Sequence, residues 1–457
     1  MRTPLTGPII IFSALVLLTL TGTRACAEQA PFQAAEPAGE KRELSDAGFW
    51  AWAEEGHTGT GGWHYYWLEG LRLDSPEQNF TAKLNAAIFV DAGDVNPDAA
   101  LQTAFPDFEG TKVNLQRARL TAMMNIYNWA RARVQLEFAD VRDFKDFWIQ
   151  FTKVPLIHYI TLGHMKEPLS LEQWTSGAST TFMERALPVN AFGHGRNIGL
   201  RRQSPFLNDR MTWAVGAFLN TESFDRIGRG IDSLSDANGF NLSGRITGIP
   251  VYEDGGRKLL HLGLSYSHGF RDENDPDQRV EFATLPESNL KDDTLVDTGK
   301  LAVDNLNQLN LEFALVSGPL SFQGEYLHVF TDSETEGDPD FSGYYAFVSY
   351  FLTGENRIYG KRNAAFIRMI PREKFGFGKG GWGAWELALR YSSINLNDNR
   401  IQGGKERNLT LGLNWYLSRK LRFMFNYIRA DVKDRRITPT VPEGDADIFQ
   451  MRFQIEF

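Results

Sequence analysis

The chain has 457 residues, a net charge of −9, 13% aromatic residues, 42 glycines and one cysteine. An acidic chain is a poor partner for nucleic acid, and a single cysteine excludes a disulfide framework or a cysteine-built metal centre. Beyond the N-terminal segment no stretch approaches the length of an apolar transmembrane helix, which leaves a soluble multidomain protein or a β-barrel.

Residues 1–27 read as a signal peptide. Arg2 supplies a positive start, "PIIIFSALVLL" an apolar stretch too short to span a bilayer, and Ala25-Cys26-Ala27 a small-residue cleavage site. Cleavage after Ala27 removes the only thiol. Residues 28–78 begin "EQAPFQAAEPAGEKRE", a composition that buries no core, and are expected to be a flexible periplasmic leader.

From residue 79 to 457 a two-residue period dominates. "FTAKLNAAIFV" puts Phe80, Ala82, Leu84, Ala86, Ile88 and Val90 on one face, and "GAWELALRY", "LTLGLNW" and "KLRFMFNY" repeat the pattern. Sixteen strands are predicted, near 80–90, 113–126, 129–139, 145–152, 156–165, 197–203, 211–220, 239–248, 258–268, 306–316, 320–330, 342–352, 382–394, 406–416, 420–431 and 447–457. Short turns such as "YNW", "SGP" and "LSRK" alternate with long polar loops at about 91–112, 166–197, 269–305 and 433–445. Short turns at one end and long loops at the other give an all-β fold, a 16-stranded antiparallel transmembrane barrel of the outer-membrane porin type. A soluble sandwich or propeller also alternates, but it needs short connections at both ends and does not collect Trp129, Tyr266, Tyr391, Trp415 and Tyr427 at strand ends. The last residues, "DIFQMRFQIEF", alternate strictly to a terminal Phe457, and that strand is expected to pair with the first near Phe80.

A barrel of this size leaves an aqueous channel. On its wet face the second and third strands carry Arg117, Arg119, Arg131 and Arg133 against Glu137, a positive stripe that low-dielectric walls focus on anions; the competing reading is a set of solvated arginines balanced elsewhere. The 166–197 loop is expected to fold inward as a constriction where Ser176, Arg185 and Arg196 meet solute; its alternative is a surface loop. Residues 354–381 carry seven basic and two acidic residues on the short-turn side, whereas 271–305 carry ten acidic and four basic on the other, so charge is polarised along the axis. Gly376-x-Gly378-x-x-Gly381 matches a phosphate-loop pattern but follows no strand and opens no helix. There is no G-x-S-x-G, H-E-x-x-H or EF-hand loop, and His194 lacks a partner at ligand spacing, so no catalytic residue, metal or cofactor is expected.

With "LGHMKEPLSLEQWTSGASTTFMERALP", "LTGENRIYG", "GAWELALRYSSINLNDNRI", "LTLGLNWYLSRKLRFMFNY" and the final "MRFQIEF", the chain from about Gly70 resembles the phosphate-selective porins O and P. The resemblance implies a trimeric sixteen-stranded porin whose third loop helps form an anion site, with Ser176, Arg185 and Arg117 matching anion-binding positions. It departs at Gln116, Gln173, Ala87 and Lys145, where cationic or acidic residues of phosphate-specific members are replaced. A passive channel for small hydrophilic solutes, preferring anions such as phosphate without strict specificity, is the expected function. The alternatives are a general or sugar-type porin and, more remotely, a barrel-borne enzyme or adhesin. Expected partners are small anions, outer-membrane lipid and lipopolysaccharide, the barrel-assembly machinery and two further copies of the chain, all in the bacterial outer membrane.

Overall fold

Each of sixteen antiparallel strands pairs with its chain neighbour, and the last pairs with the first, in the computed structural model, which describes residues 57–68, 70–139, 143–154, 158–221, 239–378 and 380–457. The predicted signal peptide and residues 28–56 of the predicted leader lie outside the described residues. The barrel strands are β1 (Phe80–Pro97), β2 (Gly110–Ile126), β3 (Ala130–Glu137), β4 (Asp143–Val154), β5 (His158–Lys166), β6 (Arg196–Phe206), β7 (Met211–Leu219) and β8 (Phe240–Glu253). They continue with β9 (Lys258–Phe270), β10 (Asn305–Ser317), β11 (Leu320–Asp332), β12 (Asp340–Phe351), β13 (Ala384–Asp398), β14 (Ile401–Tyr416), β15 (Leu421–Arg435) and β16 (Val441–Glu456).

Closure differs from expectation in register. β16 runs beside β1 from Ala446 opposite Pro97 to Glu456 opposite Ala87, and Phe457 exchanges two backbone hydrogen bonds with Ala86. The end of the chain therefore meets the middle of β1 rather than Phe80. The vacated edge at Thr81–Leu84 pairs with Leu71–Asp74, which pairs in turn with His64–Trp67. The last part of the predicted leader is thus strand, because alternating "LRLD" and aromatic "HYYW" suit a pleated edge.

Alternation does two jobs along one strand. In the lower part of β15, Phe423, Phe425 and Tyr427 share the outward face while Arg422, Met424 and Asn426 face the interior. Above Tyr427 the polarity inverts: Arg429, Asp431 and Lys433 are outward, and Ile428, Ala430 and Val432 are buried inside. β16 inverts at the same height, with Phe449 and Met451 outward below, Asp445 and Asp447 outward above, and Ile448 and Ala446 inside. Tyr427 and Phe449 contact each other at the inversion, where an aromatic boundary of the apolar belt belongs. The apolar interior above it needs a partner other than water.

Two connections supply that partner by folding into the barrel, and a third turns inward from the opposite end. Residues 167–195 carry the short helices α1 (Leu171–Trp174) and α2 (Leu187–Phe192). Residues 271–304 carry a strand pair, Val280–Thr284 with Val296–Leu301. The two pack together through Phe192 on Phe282 and onto the wall through Phe282 on Phe341 and Phe182 on Phe347. From the other end, residues 352–383 send a hairpin inward, Ile358–Gly360 with Ala365–Ile367. Its Tyr359 and Phe366 form a core with Leu171, Leu259 and Val316. The segments whose opposite charges polarise the axis are therefore in part interior structure.

Candidate functional site

The 167–195 loop is held to one side of the lumen by bonds between its backbone and charged wall residues. Leu171 and Glu172 donate their N–H groups to the Glu325 carboxylate at 3.0 and 2.7 Å, which completes the first turn of α1. Arg390 donates to Glu184 O and to Glu287, and Arg452 donates to Met183 O while gripping Asp91 through two bonds of 2.7 and 2.6 Å. Arg422 and Asn414 donate to Thr180 O and Thr181 O. The loop root is pinned by Glu167, which accepts from Asn197, Asn241 and Ser243 and pairs with His194 at 3.0 Å. Burial alone would raise the Glu167 carboxyl, but His194 and these donors outweigh it and bring its pKa down to about 2. Glu172 goes the other way, since burial raises it more than Arg390 lowers it.

Apart from Asn197 on β6 and Glu287 on the inserted 271–304 connection, these anchors lie on strands from β8 to β16 and on β1. The wall from β2 to β6 is left facing the lumen: the Arg133 side chain is 30% exposed, whereas those of Arg390 and Arg452 are each 1% exposed. On that wall Arg119 pairs with Glu137, while Arg133 and Arg196 share Asp146 at 3.0 and 2.7 Å. Lys166 donates to Gln173 O and Thr175 O, and Arg185 donates to Glu172 O and Thr175 O, so both converge on one loop carbonyl. Arg117 stacks on Phe89 at 4.5 Å, and its guanidinium nitrogens lie 3.1 Å from where a Cβ on Gly177 would stand. Beside Gly177, Ser176 is exposed.

Arg117, Arg119, Arg133, Ser176, Arg185 and Arg196 are thus gathered around the loop and the wall it faces. Arg131 is not in the group; it sits opposite Asn125 near the short-turn end of β3. Two cations join that the sequence reading passed over. Lys166 ends β5 beneath the loop, within electrostatic range of Arg185 and Arg196. Arg201 donates to Lys166 O and stacks on Trp174 at 4.9 Å. Strand alternation was the available signal for Arg201, because it sends the adjacent Arg202 outward against Trp213. Basic groups outnumber Glu137 and Asp146, an arrangement suited to transient anion contacts. Among the described residues no cluster of histidine and carboxylate side chains has the geometry to hold a metal ion.

The family model "Phosphate-selective porin O and P" matches residues 82–457. An uncharacterized protein of Caulobacter vibrioides is 28% identical over 386 residues, 83% of this chain and 74% of that one. Porin O of Pseudomonas aeruginosa is 28% identical over 284 residues, 54% of this chain and 61% of Porin O. Among solved structures, the anion-selective porin from Comamonas acidovorans superposes with a TM-score of 0.50 at 13% identity, covering 82% of this chain and 100% of that one, a likeness of fold. With a closed sixteen-stranded barrel, an inserted loop and a family match across the whole barrel, this chain belongs to the phosphate-selective porin O and P family.

Proposed function

We propose that the protein is a passive outer-membrane channel, exported by its signal peptide, assembled as a homotrimer and preferring small anions such as phosphate. The observation that carries the reading is the asymmetry of the lumen. The loop is tied to the far wall by Glu325, Arg390, Arg422 and Arg452, and the wall left open bears Arg117, Arg119, Arg133 and Arg196 with Lys166 and Arg185 on the loop side. Solute diffuses past this cationic strip, held strongly enough to enter and weakly enough to leave. Lipopolysaccharide and outer-membrane lipid would surround the outward belt, and the barrel-assembly machinery would read the terminal strand.

A general diffusion porin without ion preference is the second reading, favoured by the carboxylates Glu137 and Asp146, which neutralise part of the strip. The two separate in a planar bilayer under a salt gradient. Trimer in phosphate or chloride should show an anion-selective reversal potential. A reversal potential at zero favours the general porin, and a cation-selective one removes the anion reading.

A further inference from the structure

The glycine-rich stretch "FGFGKGGWG" at 375–383 leaves the inward hairpin and leads into β13 at the short-turn end. It opens no helix, so its phosphate-loop pattern has another cause. Phe375 donates its N–H to Leu417 O at 2.8 Å and stands edge-on to Trp415, with centroids 5.1 Å apart at 83°. At the other end, Trp415 Nε1 donates to Trp382 O at 2.9 Å. Both ends of the segment therefore clasp one tryptophan of β14. Trp415 faces outward and stacks with Trp385 of β13 at 5.0 Å and with Phe423 of β15 at 6.0 Å. That row is the lower aromatic edge of the belt.

Glycine is required to close so tight a ring. A Cβ on Gly380 would stand 2.2 Å from Gly376 Cα, and Gly378 has φ +83°. What the ring carries is two large bare aromatics, Phe377 at 95% exposure and Trp382 at 77%. Arg372, Glu373 and Lys374 beside them are also exposed, two cations to one carboxylate. Two apolar rings displayed on a close-packed support, continuous with an aromatic boundary row and flanked by a net positive charge, have the composition of an interfacial anchor.

We propose that residues 374–378 and 380–382 form a foot in the bilayer leaflet on the short-turn side, with Phe377 and Trp382 at the boundary of phospholipid headgroups and acyl chains. Lys374 and Arg372 then meet headgroup phosphate. The foot fixes the depth and tilt of β13–β15 from one side. This inference rests on the reading of the barrel as membrane-spanning.

The test places a nitroxide at Phe377→Cys and, separately, at Trp382→Cys, in a Cys26→Ala background of the full chain. The variants are reconstituted in vesicles of phosphatidylethanolamine and phosphatidylglycerol, and collision with oxygen is compared with collision with a water-soluble nickel chelate. Leu411→Cys in the belt and Thr335→Cys on the opposite loops serve as references. The oxygen-to-nickel ratio at 377 and 382 should exceed that at 335 several-fold and approach that at 411. A ratio equal to that at 335, or exclusion of both reagents as against a protein neighbour, overturns the foot while leaving the barrel intact. A water-like ratio at 411 overturns the barrel reading itself. If the labelled chains fail to assemble, brominated phospholipid should quench less of the fluorescence of Trp382→Phe than of the unsubstituted chain; equal quenching overturns the foot.

Discussion

Arg196 donates from Nε to Oδ1 of Asp146 at 2.7 Å, and Arg133 occupies the other oxygen at 3.0 Å. One carboxylate thus holds two guanidinium groups of the open wall in place and subtracts a charge from the field an incoming anion meets. Asp146→Asn should raise the anion-to-cation permeability ratio by about five-fold, corresponding to about 1 kcal/mol for one charge in a partly solvated site. Reversal potentials under a salt gradient measure this, and an unchanged ratio would show that Asp146 does not face the ion path.

Arg185 donates to two backbone carbonyls, with Glu172 and Glu184 close enough to offset part of its charge. Arg185→Ala should weaken block of chloride current by phosphate about ten-fold, as expected for loss of a charged hydrogen bond of about 1.5 kcal/mol. Arg185→Lys should recover part of that loss. Equal block in all three proteins removes Arg185 from the constriction.

Arg452 is buried between Asp91, Glu184 and Met183 O. Replacing it with Met leaves Asp91 without its partner inside the barrel, at a cost of about 3 kcal/mol. Conductance should become noisier and the 167–195 loop more sensitive to protease, while the barrel remains assembled on semi-native gels.

Glu167 gives the loop root a defined response to acid. Its carboxyl titrates near pH 2 in the folded protein against an ordinary 4.5, so the charged form is the one that folding favours. The stabilisation is complete above about pH 4.5 and is lost as pH falls toward about 2. Gating events in bilayers should increase across that window, and Glu167→Gln should abolish the increase.

Phe457 joins Ala86 through backbone bonds of 2.7 and 2.9 Å and lies far along the chain from the cationic wall. Its deletion should lower the yield of folded barrel, measured by heat-modifiable migration, and leave ion selectivity unchanged in the channels that do form.

Strand alternation was legible because it is a local property: Phe425, Tyr427, Phe449 and Met451 declare an outward apolar face from their spacing alone. The same spacing concealed the inversion above Tyr427. Ile428, Ala430 and Val432 alternate as cleanly as the residues below them, yet they face inward to a core supplied by loops distant in the chain. Glu287 could not be read as an anchor for the same reason, since its partners Arg390, Ser392 and Thr410 lie on strands more than a hundred residues away. Arg117, Ser176 and Arg185 stood out by type and motif, whereas the place of Lys166 beside them follows only from the loop folding over it.

By itself the sequence determined the number of strands, which face of each meets the apolar belt and the aromatic residue on which the barrel closes, all consequences of a backbone with a period of two. Only the tertiary structure decided where along β1 the cylinder shuts, which three connections turn inward and which wall they leave open. Those outcomes depend on burial and charge pairing between segments remote in the chain, and local spacing carries no record of such pairing.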